Sequence, residues 1–140
     1  MKKILTLLTI FGLMSCNLND SFKGFIKDND EKSEIIVKLA DSYLAGNFDM
    51  ARDYFSPDGK HFFNNLEFDV DGIIDGYNSH SLIFKDIKHN DREVYTATFT
   101  DGTVETFHDF DWAATSILTG KEYSYPCHCR WVWVEDKIAS

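Results

Sequence analysis

Apolar positions in the first half of the chain recur at helical spacing. Ile35, Ile36, Leu39, Ala40, Tyr43 and Leu44 fall three to four residues apart, which predicts an amphipathic helix capped by Asp28 or Asp30 and stopped by Gly46. Asn47 can cap a second short helix carrying Met50, Tyr54 and Phe55, and Pro57-Asp58-Gly59 then turns the chain. His61-Phe62-Phe63 reads as a short strand. A third helix is predicted from an Asp69 cap through Ile73, Ile74 and Tyr77, weakened by Gly72 and Gly76.

From Ser81 the period changes to two. Leu82-Ile83-Phe84 predicts a brief strand, residues 92–100 alternate, and Asp101-Gly102 is a two-residue hairpin signal. A long strand over 103–118, a turn at Thr119-Gly120 and a returning strand over 123–134 follow. Glu135-Asp136-Lys137 then turns the chain into Ile138. Helices followed by an antiparallel meander make this an α+β domain.

The turns also predict registers. A two-residue loop at Asp101-Gly102 sets Phe99 against Val104, Ala97 against Thr106 and Tyr95 against His108. A two-residue loop at Thr119-Gly120 sets Trp112 against Cys127, Phe110 against Cys129 and His108 against Trp131; a four-residue loop shifts these pairs by two and keeps the faces. Alternation then sends Tyr95, His108, Trp112, Tyr125, Trp131 and Trp133 to one face, with both cysteines of the strand. Thr96, Thr98, Glu105, Asp109, Asp111, His128 and Arg130 go to the other.

His108 is the anomaly of the apolar face. A buried imidazole left unpaired costs roughly 1–3 kcal/mol, so it is either a core histidine bonded to Tyr95 or a pocket histidine facing a ligand. On the polar face, Asp111 opposite His128 and Asp109 opposite Arg130 have the form of an acid–base dyad. They are equally ordinary cross-strand ion pairs, worth at most about 1 kcal/mol. No Gly-rich phosphate loop and no serine nucleophile elbow occurs.

The N-terminus adds an address. Met1-Lys2-Lys3, the apolar run 4–13 and the small residue before Cys16 describe a secretory signal, and the run is shorter than the roughly 20 residues that span a bilayer. Leu13-Met14-Ser15-Cys16 resembles the bacterial lipobox, which implies lipid attachment to Cys16 at a cell-envelope membrane, the outer membrane rather than the plasma membrane. An ordinary signal with an incidental cysteine is the alternative. The expected organisation is a signal over 1–15, a tether over 16–30 and one domain over 31–140.

Removing residues 1–15 takes away two lysines and no acids, leaving 12 basic and 23 acidic residues and a formal charge of −11. Such a surface repels nucleic acid, so no nucleic-acid partner is expected. Cys127 and Cys129 lie two apart in a strand, at or beyond the usual upper limit of about 6.8 Å between Cα atoms of a disulfide, and two buried thiols are expected. Alternation turns His128 away from them, and no second cluster has usable ligand spacing, so no metal and no cofactor are expected.

Several stretches together resemble a known superfamily. The run from Leu39 through Ala45-Gly46-Asn47-Phe48-Asp49, then Tyr54-Phe55-Ser56-Pro57-Asp58-Gly59, is similar to the opening of nuclear transport factor 2-like domains. Asp101-Gly102-Thr103-Val104, the Trp112 strand with Thr119-Gly120-Lys121, and Glu135-Asp136-Lys137-Ile138 extend the resemblance over roughly residues 33–140. That superfamily includes the SnoaL-like polyketide cyclases and the ketosteroid isomerases. The resemblance implies N-terminal helices packed in the concave face of a bent, mainly antiparallel sheet (a cone-like barrel). It also implies an apolar pocket at the mouth and dimers through the outer sheet face. Leu39 and approximately Phe63 stand where the isomerases carry a tyrosine and an aspartate, and neither transfers a proton. The cyclases use an Asp/His pair inside the cone; His108 matches the histidine, while Asp109 and Asp111 point to the other face. Members continue past the equivalent of Lys137-Ile138 into a full strand, so the chain either continues or leaves an open edge beside Trp131 and Trp133.

Three functions follow as expectations. The first is a membrane-tethered, non-catalytic domain holding a small apolar or aromatic molecule against Tyr54, Tyr95, His108, Trp112, Tyr125 and Trp131. The second is a cyclase- or isomerase-like enzyme with His108 as general base. The third is a homodimerising interaction module with a filled core.

Overall fold

The computed structural model describes residues 23–140; the signal segment, Cys16 and the first part of the expected tether lie outside the described residues. The first helix, α1 (Glu31–Leu44), starts where Asp30 closes a capping box. The Asp30 carboxylate accepts the Ser33 amide at 2.8 Å, and Ser33 Oγ accepts the Asp30 amide at 3.0 Å. Gly46, at φ +77°, ends the helix in the left-handed region that glycine tolerates best. The second expected helix is a 3-10 turn over Asp49–Asp53, with Asn47 Oδ1 accepting the Asp49 amide at 3.1 Å.

Strands β2 (His61–Phe63) and β3 (Leu66–Phe68) form a small hairpin, and α2 (Val70–Ile83) follows, capped by Asp69 on the Gly72 amide at 2.8 Å. Leu82 and Ile83, expected in a strand, are the last turn of α2. Three consecutive apolar residues do not separate a strand from a helix end.

The main sheet contains β1 (Gly24–Lys27), β4 (Phe84–Phe99), β5 (Val104–Ser116), β6 (Glu122–Val134) and β7 (Lys137–Ile138), in the order β1-β4-β5-β6-β7 and antiparallel throughout. With two helices, this is an α+β fold whose sheet is open among the described residues. Residues 24–27, expected in the tether, pair with Phe99 to Thr96 as an edge strand. The β6 edge is covered over its last residues: β7 pairs with Trp133 and Val134, and Val132 and Ala139 exchange a further bond at 2.8 Å.

Both hairpin registers depart from two-residue loops. The first turn spans three residues: Thr98 faces Val104, Phe99 N donates to Thr103 O at 2.8 Å, and Gly102 takes φ +90°. This is the three-residue turn in which glycine supplies a G1 bulge. A one-residue slip exchanges the faces of β4, so Val94, Thr96 and Thr98 join His108 while Tyr95 joins Phe107. The second turn spans four residues, with Ser116 N donating to Lys121 O at 2.9 Å; its pairs shift by two and its faces are kept.

The helices cover the face that carries His108. Ile36, Leu39 and Tyr43 of α1 and Ile73 and Ile74 of α2 pack with Phe48, Phe55, Trp133 and Ile138 into one buried cluster. Each large aromatic contributes roughly 4–6 kcal/mol gross at about 25 cal/mol per Å². Beneath them Thr96 and Thr106 share a hydroxyl bond at 2.9 Å, and Trp133 Nε1 donates to Thr106 at 2.9 Å, so these buried polar groups are paired.

Candidate functional site

Between the helices and the inner face of the sheet lies a cavity of about 270 Å³ with an almost wholly apolar wall. The sheet supplies it in rows. His89, Trp112 and Tyr125 are cross-strand neighbours, as are Phe110 with Cys127 and His108 with Cys129, and Trp131 follows two residues along β6. Ala40 and Tyr43 of α1, and Tyr77 and His80 of α2, close the opposite side, with Phe48, Phe63 and Phe84. Tyr125, 53% exposed, stands at the mouth, and His108, 3% exposed, lies deep.

Four of the six expected ligand-binding residues meet here: His108, Trp112, Tyr125 and Trp131. Tyr95 does not. The one-residue slip of the first hairpin puts it on the opposite face, stacked on Phe107 with ring centroids 5.3 Å apart and its hydroxyl donating to Asp109 at 3.2 Å. It is therefore no partner for His108. Tyr54 also stays out of the cavity wall. It is part-buried at the end of the 3-10 turn, where its carbonyl accepts the Ile138 amide at 2.9 Å.

The outer face re-pairs as well. Asp109, not Asp111, meets His128, at 3.0 Å; Asp111 lies opposite Pro126, and Arg130 approaches Glu105 at 3.7 Å. No aspartate or glutamate lines the cavity among the described residues. Both strand cysteines are free thiols, and burial pushes Cys129 up to about 12, which keeps it protonated. Among the described residues no three potential ligands converge as a metal site.

Three wall residues were hidden from sequence patterning. Tyr43 was legible only as helix core. His80 lies one turn beyond Tyr77, past the expected end of α2. His89 enters through two irregularities in β4, between Lys85 and Lys88 and between Asn90 and Glu93, with Asp86 and Asp91 at φ +56° and +50°. Each resets the alternation, so His89 and Val94 both face inward although five residues apart. Asn90-Asp91 in mid-strand is the one available hint, since such residues tolerate left-handed backbone.

Polar atoms of the wall fall into two groups. Toward the mouth, Trp112 Nε1 donates to Tyr43 Oη at 2.8 Å, and that hydroxyl lies 2.8 Å from His80 Nδ1. The tyrosine oxygen accepts from the indole and with His80 either donates its proton to Nδ1 or accepts a second bond there, according to the imidazole tautomer. Burial raises Tyr43 to about 12 and lowers His80, so the relay is neutral near pH 7.

Along the rest of the wall the pairing stops. His89 stacks on Phe110 with ring centroids 3.7 Å apart and lies 5.3 Å from the His108 ring. Both His89 nitrogens, His108 Nε2 and Trp131 Nε1 are buried without a hydrogen-bond partner among the described residues. Burial, then the neighbouring His89 and the Arg92 charge, push His108 down to about 3. Burial and Arg92 lower His89 to about 4. Both rings are therefore neutral at pH 7.

The fold and site define a class: a small α+β domain whose helices and antiparallel sheet enclose a ring-lined cavity, with wall nitrogens that have no partner among the described residues. No protein-family model matches the chain, and no curated protein matches it.

Proposed function

We propose that this chain is an envelope lipoprotein whose domain binds one small apolar or aromatic molecule in the cavity, without transforming it. The carrying observation is the cavity itself, about 270 Å³ walled by aromatic rings, with the buried His108 Nε2 unpartnered among the described residues. An unfilled apolar space and an orphaned buried nitrogen each cost stability, and a ligand that fills one and bonds the other offsets both.

Binding is favoured over proton transfer by two properties of the wall. An imidazole with a conjugate-acid pKa of about 3 is a weak base at neutral pH, and Asp109 and Asp111 are on the far face. The order of elements and the helices against one sheet face support the resemblance to the nuclear transport factor 2-like superfamily. Leu13-Met14-Ser15-Cys16 supports export and lipid attachment at Cys16 to a bacterial envelope membrane.

Residues 16–140 carrying Cys16→Ser, which include every described residue, provide the test. Titrated with N-phenyl-1-naphthylamine, this chain should enhance probe fluorescence to saturation at one probe per chain. Cys127→Phe, which places a ring inside the cavity, should abolish the enhancement at unchanged circular dichroism. Equal enhancement by the filled variant contradicts the proposal. In cells, Cys16→Ser should move the full chain from the membrane to the soluble fraction.

A further inference from the structure

Apolar side chains left in solvent gather around the mouth of the cavity. Of the residues that line it, Phe63 and Tyr125 are the exposed ones, at 45% and 53%, so the cavity opens where they stand. On the Phe63 side, Leu66 pairs with Phe63 across the β2–β3 hairpin and is itself exposed. On the other side, Leu82 and Ile83 end α2. Ile83 O accepts the Ile117 amide at 3.0 Å, which sets Ile117 and Leu118 beside them, and Leu118 is 92% exposed. Ring contacts join the two sides: Phe63 to His80, His80 to Phe84 and Phe84 to Tyr123, with centroids 6.3, 6.3 and 5.9 Å apart. Single exposed apolar residues are ordinary, whereas a contiguous patch of them marks a contact with a protein or a membrane.

Two observations favour a membrane. The first is charge. Without residues 1–15 the chain has a formal charge of −11, which anionic headgroups repel. The rim lacks that excess: residues 79–90 and 113–125 contain Lys85, Lys88 and Lys121 against Asp86 and Glu122, and residues 62–66 contain no charge. The three lysines make no ion pair among the described residues, which leaves them for lipid phosphates. Tyr123 and Tyr125 combine ring and hydroxyl, the character that suits the headgroup level. The second is reach. The chain enters the sheet at its Asp101-Gly102 end, where Thr100 N donates to Lys23 O at 3.0 Å and Gly24 pairs with Phe99. From Cys16 to Lys23 is seven residues, at most about 25 Å of chain. The rim lies at the other end of β5, 13 residues or about 40 Å away. A lipid on Cys16 therefore keeps one end of the sheet close to the bilayer. The rim at the other end meets the same surface when the strands run at a shallow angle to it.

Building on the envelope-lipoprotein reading proposed above, we infer that this rim docks on the phospholipid bilayer that carries the Cys16 lipid. The domain is held at two points, by the lipid at one end of the sheet and by Ile117, Leu118, Leu82 and Phe63 at the other. The cavity then opens into the bilayer and takes up its ligand from the hydrocarbon.

Vesicle binding by residues 16–140 with Cys16→Ser tests this, since no acyl chain then masks what the rim contributes. With vesicles of phosphatidylcholine and phosphatidylglycerol, this chain should sediment with the lipid. Adding Ile117→Ser and Leu118→Ser should weaken that binding at least about tenfold, because two aliphatic side chains lose their transfer into lipid. Adding Ile26→Ser and Val134→Ser instead, exposed apolar positions at the anchored end of the sheet, should change it less than about twofold. None of the four residues lines the cavity, so both variants should take up N-phenyl-1-naphthylamine as the parent chain does without vesicles. Vesicle binding that survives the rim substitutions, or that fails in the parent chain, overturns the docking and leaves the binding function standing wherever the probe is still taken up. A dimer in sedimentation velocity that the rim substitutions dissolve, with no vesicle binding, assigns the rim to a second copy and likewise overturns the docking. Loss of probe uptake in the parent chain removes the binding function itself.

Discussion

His108 and His89 sit as neutral imidazoles in a wall of rings and thiols, and this couples folding to pH. An unfolded histidine takes up a proton below about pH 6.5, whereas the folded chain holds His108 neutral down to about 3 and His89 to about 4. Between those limits the unfolded state binds more protons, so stability falls as pH drops and is level above about 6.5. Urea unfolding should show His108 alone removing about 2 kcal/mol between pH 7 and pH 5. His108→Phe should flatten the profile by that amount, and equal slopes in the two proteins would contradict the burial described. The mouth relay makes a separate prediction. Tyr43→Phe strands the Trp112 N–H and His80 Nδ1 together, and thermal unfolding should register a loss of roughly 1–3 kcal/mol.

At the scale of elements, the turn that sets the first hairpin is the sensitive point. Gly102 sits at φ +90°, where any side chain is strained, and Gly76 lies inside α2 with open space where a Cβ would stand. Gly102→Ala should cost about 1 kcal/mol, and Gly76→Ala should add roughly 0.5–1 kcal/mol; chemical denaturation of both variants checks the opposite signs. The helices were legible because their caps and spacing agree, from Asp30 and Gly46 around α1 to Asp69 before α2. The β5–β6 faces were legible because an even shift in loop length preserves them. Two things could not be read from alternation. The first hairpin gained one loop residue, which exchanged Tyr95 for Val94 on the inner face. The bulges of β4 then brought in His89, which strict alternation from Val94 sends outward. Both depend on backbone geometry at Gly102, Asp86 and Asp91, and side-chain hydropathy carries no record of it.

For the molecule as a whole, α1 and α2 cover one sheet face and leave a cavity toward one end of it. Candidate residues on β5 and β6 reached that cavity, while Tyr54 and Tyr95, assigned by hydrophobicity and register, did not. The three tryptophans provide the most direct test, because each indole N–H has a different circumstance. Trp133 donates to buried Thr106, Trp112 donates to Tyr43, and Trp131 has no partner among the described residues. In a nitrogen–proton NMR titration of residues 16–140 with Cys16→Ser, N-phenyl-1-naphthylamine should shift the Trp131 indole signal, saturating at one probe per chain, while the Trp133 signal stays in place. A Trp131 signal that does not respond, or one that moves together with Trp133 without saturating, would contradict a cavity that takes up an aromatic molecule.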